Sequence, residues 1–287
     1  MAARPKTRRQ TKKMKILFFG DIVGRAGRTG VQKILGTWRK EHSPDLIIAN
    51  IENIAHGIGI SRAYLEELHT LGVNIMTGGN HIAEGKDALK LLDDPSLPLI
   101  RPANVGSGWT GRGFLTVNLP INQSIGATAD DETPVTVISL IGQAGMRDNY
   151  NSPFEAAETI LSQEAVKQSV VIVDWHAEMT SEKKLMGHFL DGRVSAVLGT
   201  HTHVPTADEQ ILPGGTAYIS DVGMAGSLHS IIGVQVARAV ERIARGLPAK
   251  FEVEEKSPAE VNAVLLEVDS ATKKALWIKR LREIVEF

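Results

Sequence analysis

The side chains that could do chemistry in this sequence are Asp21, the group Asn50, Glu52 and Asn53, the pair Asn80 and His81, then His176, and the pair His201 and His203. Carboxylate and amide oxygens mixed with imidazole nitrogens suit divalent metals of intermediate hardness. Manganese, iron, zinc, cobalt and nickel fit such a set better than soft copper or a purely oxygen-bound calcium. The groups on offer outnumber what one tetrahedral ion takes. They suit two ions ~3.5–4 Å apart, bridged by a carboxylate. The chain has no cysteine, which excludes thiolate-bound zinc, iron–sulfur clusters, disulfide scaffolds and thiol catalysis.

Taken singly, each residue has a duller reading. An Asp after a strand can cap a turn, Asn50 can be a turn former, and two His two apart occur by chance. His42, His69, His188 and His229 are read as structural, and His56, in the loop after Glu52, stays open. What argues for a site is position. Apolar runs at 16–20, 46–49, 73–76, 170–174 and 194–198 read as buried strands, and a candidate residue follows each one. Ligand sites of open α/β sheets lie at the carboxyl ends of strands. Five strands are therefore expected to deliver these groups to one sheet edge. In extended backbone His201 and His203 would point the same way, toward one metal cluster.

Helices connect the strands. Residues 28–41 carry Val31, Ile34, Leu35 and Trp38 on one stripe. Residues 61–70 have Ser61 as N-cap and Gly72 as the stop. Further on, 114–119 and 135–141 read as a hairpin with a polar connection from Asn122 to Thr133. A helix at 153–166, a strand at 217–220 and a helix at 233–245 follow. The last two strands turn at 269–274, with Val264, Leu266 and Val268 on one face and Leu276 and Ile278 on another. No repeat or linker appears, so residues 14–287 are read as one α/β domain with a mixed sheet arrangement. The loop from Gly20 to Gly27 is G-x-x-x-G-x-x-G, which is not the dinucleotide fingerprint, and no Gly-Lys-Ser/Thr follows. Its glycines are expected to let the loop pass close to a metal.

Composition bounds the rest. Of 287 residues 43% are hydrophobic and 23% charged, enough apolar surface to exclude general disorder. No apolar run nears the ~18 residues of a membrane span. The first 13 residues hold six of the 32 bases and none of the 33 acids, so a net charge of −1 conceals −7 on the remainder. This basic stretch is read as a disordered extension. Contact with nucleic acid is left open, and no function is placed on it. Nothing points to export, so a cytoplasmic chain is expected. A homo-oligomer is left open.

In order, Gly20-Asp21, Asn50-Ile51-Glu52-Asn53, Gly79-Asn80-His81, His176 and Gly199-Thr200-His201-Thr202-His203 resemble the calcineurin-like metallophosphoesterases. Within them the chain is similar to the YmdB-type branch, described as 2′,3′-cyclic-nucleotide 2′-phosphodiesterases. The stretches His176 to Lys183 and Asp191-Gly192-Arg193 share that likeness, which runs from Met14 to the C-terminus. Two departures from the wider superfamily stand out. The usual Asp-x-His is Asp21-Ile22-Val23 here, and Glu52 replaces the bridging Asp.

The resemblance implies a four-layer α/β/β/α sandwich. It implies two divalent ions, iron or manganese first, then zinc, magnesium, cobalt or nickel. Asp21, Glu52, Asn53 and His203 would hold one, and Glu52, Asn80, His176 and His201 the other. The implied reaction is hydrolysis of 2′,3′-cyclic nucleotides, and by extension 3′,5′-cyclic nucleotides or related small diesters, by a metal-bridging hydroxide. His81, beside Asn80, is the expected general acid. Arg193 could orient phosphate but is read rather as half of a structural ion pair. The competing functions are a phosphomonoesterase using the same site and a metal- or nucleotide-sensing regulator with slow turnover.

Overall fold

A computed structural model describes residues 13–120 and 132–287. The expected basic extension lies outside the described residues except for Lys13. So does the polar connection except for Glu132 and Thr133. Strand β1 (Lys13–Ile22) shows why two sheets form. Met14, Ile16 and Phe18 enter one core, and Leu17, Phe19 and Ile22 enter another. A strand apolar on both faces must be covered on both. Full burial of each such side chain stabilises by about 1.5–3 kcal/mol.

The first sheet runs β12 (Ala275–Val285), β11 (Ala259–Asp269), β10 (Met224–Ser227), β1, β2 (Leu46–Asn50), β3 (Ile75–Thr77). It is mixed, since β1 is parallel to β2 and β10 but antiparallel to β11. The second sheet runs β4 (Phe114–Pro120), β5 (Glu132–Ile141), β6 (Val170–His176), β7 (Ala196–Thr200), β9 (Ala217–Ile219), β8 (Gln210–Ile211). The apolar core between the sheets joins Ile16, Phe18, Ile48 and Leu266 to Val137, Ile172 and Leu198. Helices α1 (Gly24–His42), α2 (Arg62–Leu71) and α3 (Ala88–Asp93) cover the outer face of the first sheet. Helices α4 (Pro153–Leu161), α5 (Glu164–Lys167) and α6 (Thr180–Phe189) cover that of the second. The expected four-layer α/β/β/α sandwich is therefore the architecture. Among the described residues, no helix is long and apolar enough to cross a membrane.

Several local expectations need correction. In the Gly20–Gly27 segment, Gly20 and Gly27 are required by close backbone packing. A Cβ on Gly20 would lie 1.8 Å from the Gly223 carbonyl oxygen, and one on Gly27 2.1 Å from that of Ala225. These glycines let β1 and α1 pack against the 223–225 backbone. Ser61 has the extended backbone of an N-cap, but its hydroxyl makes no capping bond. Gly72 does end α2 in the left-handed conformation, and Val73 donates back to Leu68, so the strand begins only at Ile75.

The helix expected at 233–245 shrinks to α7 (Val236–Ala239) and a π turn (Val240–Ala244). Backbone bonds from Gln235 to Glu252 and from Glu254 to Gly233 occupy its first residues. Leu276 does not share a buried face with Ile278. A bulge opposite Glu267 and Val268 turns Leu276 outward and sends Ala275 into the inter-sheet core. Arg193 makes two 2.7 Å bonds to the two oxygens of Glu158, the structural pair favoured from sequence. Arg193→Ala is expected to leave melting temperature and turnover close to wild type, because a surface ion pair contributes little. A large loss of turnover with an intact fold would return Arg193 to the phosphate.

Candidate metal centre

Asp21 is the penultimate residue of β1, Asn50 ends β2, and Glu52 and Asn53 follow it. Asn80 and His81 follow β3. His176 ends β6, and His201 and His203 follow β7. The first three strands belong to one sheet and the last two to the other. The expectation of one sheet edge is thus corrected: the residues gather where the carboxyl ends of two stacked sheets meet. Asp174, which the sequence reading missed, ties the two together. Its carboxylate accepts from Asn50 Nδ2 at 3.0 Å, Thr200 Oγ1 at 2.6 Å and the Thr77 hydroxyl. Burial pushes Asp174 up to about 6. The signal was present, as an acid inside the apolar run Val-Val-Ile-Val-Asp-Trp-His.

Four atoms converge at the heart of the cluster. His176 Nε2 lies 3.0 Å from Asn80 Oδ1, 3.0 Å from His201 Nδ1 and 3.2 Å from Glu52 Oε1. Its other nitrogen settles its role. Thr200 Oγ1 gives its only hydrogen to Asp174, so His176 Nδ1, 3.0 Å away, must donate to that hydroxyl. His201 Nε2 lies 3.1 Å from Glu178 Oε2, and its Nδ1 faces inward, 3.0 Å from His176 Nε2. His203 Nδ1 donates to the Ile232 carbonyl at 2.9 Å, which leaves Nε2 facing Asn53 at 3.3 Å. Each imidazole has a polar partner at its outer nitrogen and aims the other nitrogen into the cluster, the arrangement in which histidine ligates metal.

The carboxylates fit the same chemistry. Asp21 Oδ1 is fully buried with no hydrogen bond among the described residues, 3.9 Å from both His176 Nδ1 and His203 Nε2. Its Oδ2 accepts from the His201 amide at 3.0 Å. Burial, more than its charged neighbours, raises its pKa. Glu52 is also buried, which would raise it. The His176 imidazole and the His81 amide, 3.0 Å from Oε2, outweigh burial and hold it at about 2. For His176, burial lowers the pKa, but Glu52, Asp21 and Asp174 lift it to about 9. Anionic oxygens that hold a proton so firmly attract a divalent cation in the same way, with the proton displaced. An orphaned buried carboxylate oxygen beside the inward-facing His203 Nε2 belongs to a donor set that fits metal ions.

His201 and His203 do not get there by strand periodicity. Both have positive φ, 97° and 65°, conformations that cost about 1–3 kcal/mol each in a non-glycine residue. The turn sends His201 toward His176 and His203 toward Asn53. His81 lies beside the cluster. Its amide holds Glu52, while its Nδ1 bonds Glu84 Oε1 at 2.8 Å and Nε2 makes no hydrogen bond among the described residues. The ring of His56 packs edge-on to Tyr64. Glu178, Glu84 and Thr200 were not assigned roles from sequence. Only the i, i+3 spacing of His81 and Glu84 was legible there.

Gly79 gives a direct test of the packing. A Cβ there would lie 2.1 Å from His176 Cδ2 and 2.3 Å from Nε2. Gly79→Ala is expected to turn the imidazole and to weaken metal binding by about 10–100-fold, the scale of disturbed ligand support. Chelator competition measures this, and unchanged affinity would mean that His176 does not face the metal. A cavity of about 330 Å³ at the opposite end of the second sheet, near Lys167 and Lys273, contains none of these residues.

Facing sheet ends that carry Asp, Glu, Asn and His define a class of protein. The fold is that of YfkN from Bacillus subtilis, a calcineurin-like phosphoesterase, with a TM-score of 0.56 over 96% of this chain and 90% of that one at 11% identity. The molecule has the calcineurin-like phosphoesterase architecture, a metallophosphoesterase fold that implies divalent metal ions. Residues 17–281 match the family described as YmdB-like protein, and the chain belongs to that family. It is 37% identical over 269 residues to a Bacillus subtilis (strain 168) protein named 2′,3′-cyclic-nucleotide 2′-phosphodiesterase, spanning 93% of this chain and 96% of that one. A crystal structure described as a novel phosphatase from Mycoplasma pneumoniae superposes with a TM-score of 0.86 at 32% identity, over 96% of this chain and 95% of that one.

Proposed function

We propose that this chain is a dinuclear metal-dependent phosphodiesterase that hydrolyses 2′,3′-cyclic nucleotides, with 3′,5′-cyclic nucleotides or related small diesters as further substrates. The observation that carries the reading is the three imidazoles, each with a polar partner at its outer nitrogen and the other nitrogen facing the cluster that holds Glu52, Asn80 and the orphaned Asp21 oxygen. Asp21, Glu52, Asn53 and His203 would hold one ion, and Glu52, Asn80, His176 and His201 the other. Iron or manganese suits these ligands best. When bound, two such ions supply Lewis acidity at the phosphate and lower the pKa of water.

The chain's own residues set the conditions. Glu52 Oε1 lies 3.2 Å from His176 Nε2 and accepts from Asn53 Nδ2 at 3.4 Å, so it adjoins both proposed ligand sets, and the carboxylate supplies negative charge that would neutralise part of the ions. Thr200, Glu178 and the Ile232 carbonyl keep the three imidazoles in the ligating tautomer. His81 protonates the leaving alkoxide through Nε2, while Glu84 holds Nδ1 and stabilises the imidazolium. A nucleotide substrate and a chain without cysteine suit the cytoplasm.

Metal quantification beside hydrolysis of 2′,3′- and 3′,5′-cyclic nucleotides tests the proposal. Two equivalents of metal with diester turnover are expected. Loaded protein that turns over only monoesters would favour the phosphomonoesterase, a reading supported by the name of the Mycoplasma relative. Tight nucleotide binding without useful turnover would favour the regulator.

A further inference from the structure

Helix α6 carries one residue that its buried face should reject. Lys183 lies on the same face as Met186 and Gly187 and is 2% exposed. A buried lysine must be paired, and this one is. Its Nζ donates to the Thr200 carbonyl at 2.6 Å and to Asp221 Oδ2 at 3.0 Å. Asp221, 1% exposed, also accepts from the Thr202 amide at 3.1 Å through Oδ2 and from the Gly223 amide at 2.9 Å through Oδ1.

These bonds fall on particular peptide groups. The peptide between Thr200 and His201 is held at its carbonyl by Lys183 and at its N–H by Asp21. The next peptide is held at its N–H by Asp221. They flank His201, which takes φ 97° without being glycine. Asp221 also ties down Gly223, whose carbonyl accepts the Asp21 amide at 3.2 Å. One buried ion pair thus joins the chain segments that deliver Asp21, His201 and His203.

We propose that the Lys183–Asp221 pair sets the Thr200–His203 turn, so that Lys183 is a positioning residue for the metal centre. This rests on the reading of His201 and His203 as ligands. Without the cation, the Thr200 carbonyl loses its donor and Asp221 is left buried and unpaired. The turn then relaxes away from positive φ, and His201 swings out of line with His176.

The test is Co²⁺ binding to the full chain, followed by chelator competition and by the visible absorption of the bound ion. Lys183→Met keeps the volume and removes the charge. It is expected to fold, by circular dichroism and gel filtration, and to bind one of two Co²⁺ equivalents at least tenfold more weakly with a shifted spectrum. Lys183→Gln, which can still donate to Thr200, is expected to show the same change to a smaller degree. A folded variant that takes both ions with wild-type affinity and spectrum overturns the proposal. So does insolubility of both variants, which would assign the pair to folding alone. Failure of the parent reading looks different: the wild-type chain would itself take up no pair of ions, and the proposal would fall with its premise. A wild type that binds both ions but cleaves no diester overturns only the proposed activity, since this readout is metal affinity.

Discussion

The Glu52→Gln protein is expected to purify with well under the wild-type metal content and to turn over two to three orders of magnitude more slowly. That is about the effect of deleting one preorganised charged group from a buried site. The substitution keeps the volume of a side chain that is 1% exposed, so folding should survive. What it changes is charge and donor pattern. Glu52 faces a nitrogen on each side, with the His81 amide 3.0 Å from one oxygen and His176 Nε2 3.2 Å from the other. A glutamine can offer oxygen to only one of them. With its NH₂ toward His81 it sets donor against donor, and with its NH₂ toward His176 it caps the lone pair meant for the metal. Either way the centre loses a negative charge and, on the proposed ligand set, its bridge. Metal analysis and cyclic-nucleotide turnover on the same preparation check this. Two ions per chain and normal rates would remove Glu52 from the bridging position.

His81→Ala is expected to separate metal from catalysis. The part of His81 that supports Glu52 is its backbone N–H, which alanine retains. Metal content should therefore stay near wild type. Turnover should fall by about 10²–10⁴-fold, the usual worth of a general acid. The fall should be steepest for the poor alkoxide leaving group of a nucleotide and shallow for a nitrophenolate, which leaves without a proton. Glu84→Gln should follow in the same direction but less far, since it removes only the charge behind Nδ1. Undiminished nucleotide turnover in His81→Ala would exclude the ring from the reaction. Lost metal would recast it as a ligand or a structural support.

The strands, the outer helices and the residue types of the centre were legible in sequence because each is locally encoded. Apolar runs such as 16–20 and 170–174 mark strands buried on both faces, and a polar residue just past such a run marks a strand end. Failures came where a distant segment overrode the local pattern. Ala275 and Leu276 exchange faces because of a bulge set by the partner strand. The 233–235 segment pairs with 252–254 in place of starting a helix. Gly20 and Gly27 answer to a backbone about 200 positions away, where only a missing Cβ allows the approach.

The sequence by itself determined which atoms could bind metal, since ligand chemistry resides in side-chain type and survives any fold. It also determined that each would sit at a strand end. Only the tertiary structure decided that two sheets, rather than one, bring them together. It decided that His201 and His203 are aimed by a turn at positive φ, and that Thr200 orients His176 while Glu178, Ile232 and the Lys183–Asp221 pair orient the other two. Those contacts join residues as far as 180 positions apart, such as the His201 amide and Asp21. A hydrogen bond depends on distance and angle in space, and sequence spacing carries that information only within one helix turn or one strand pleat.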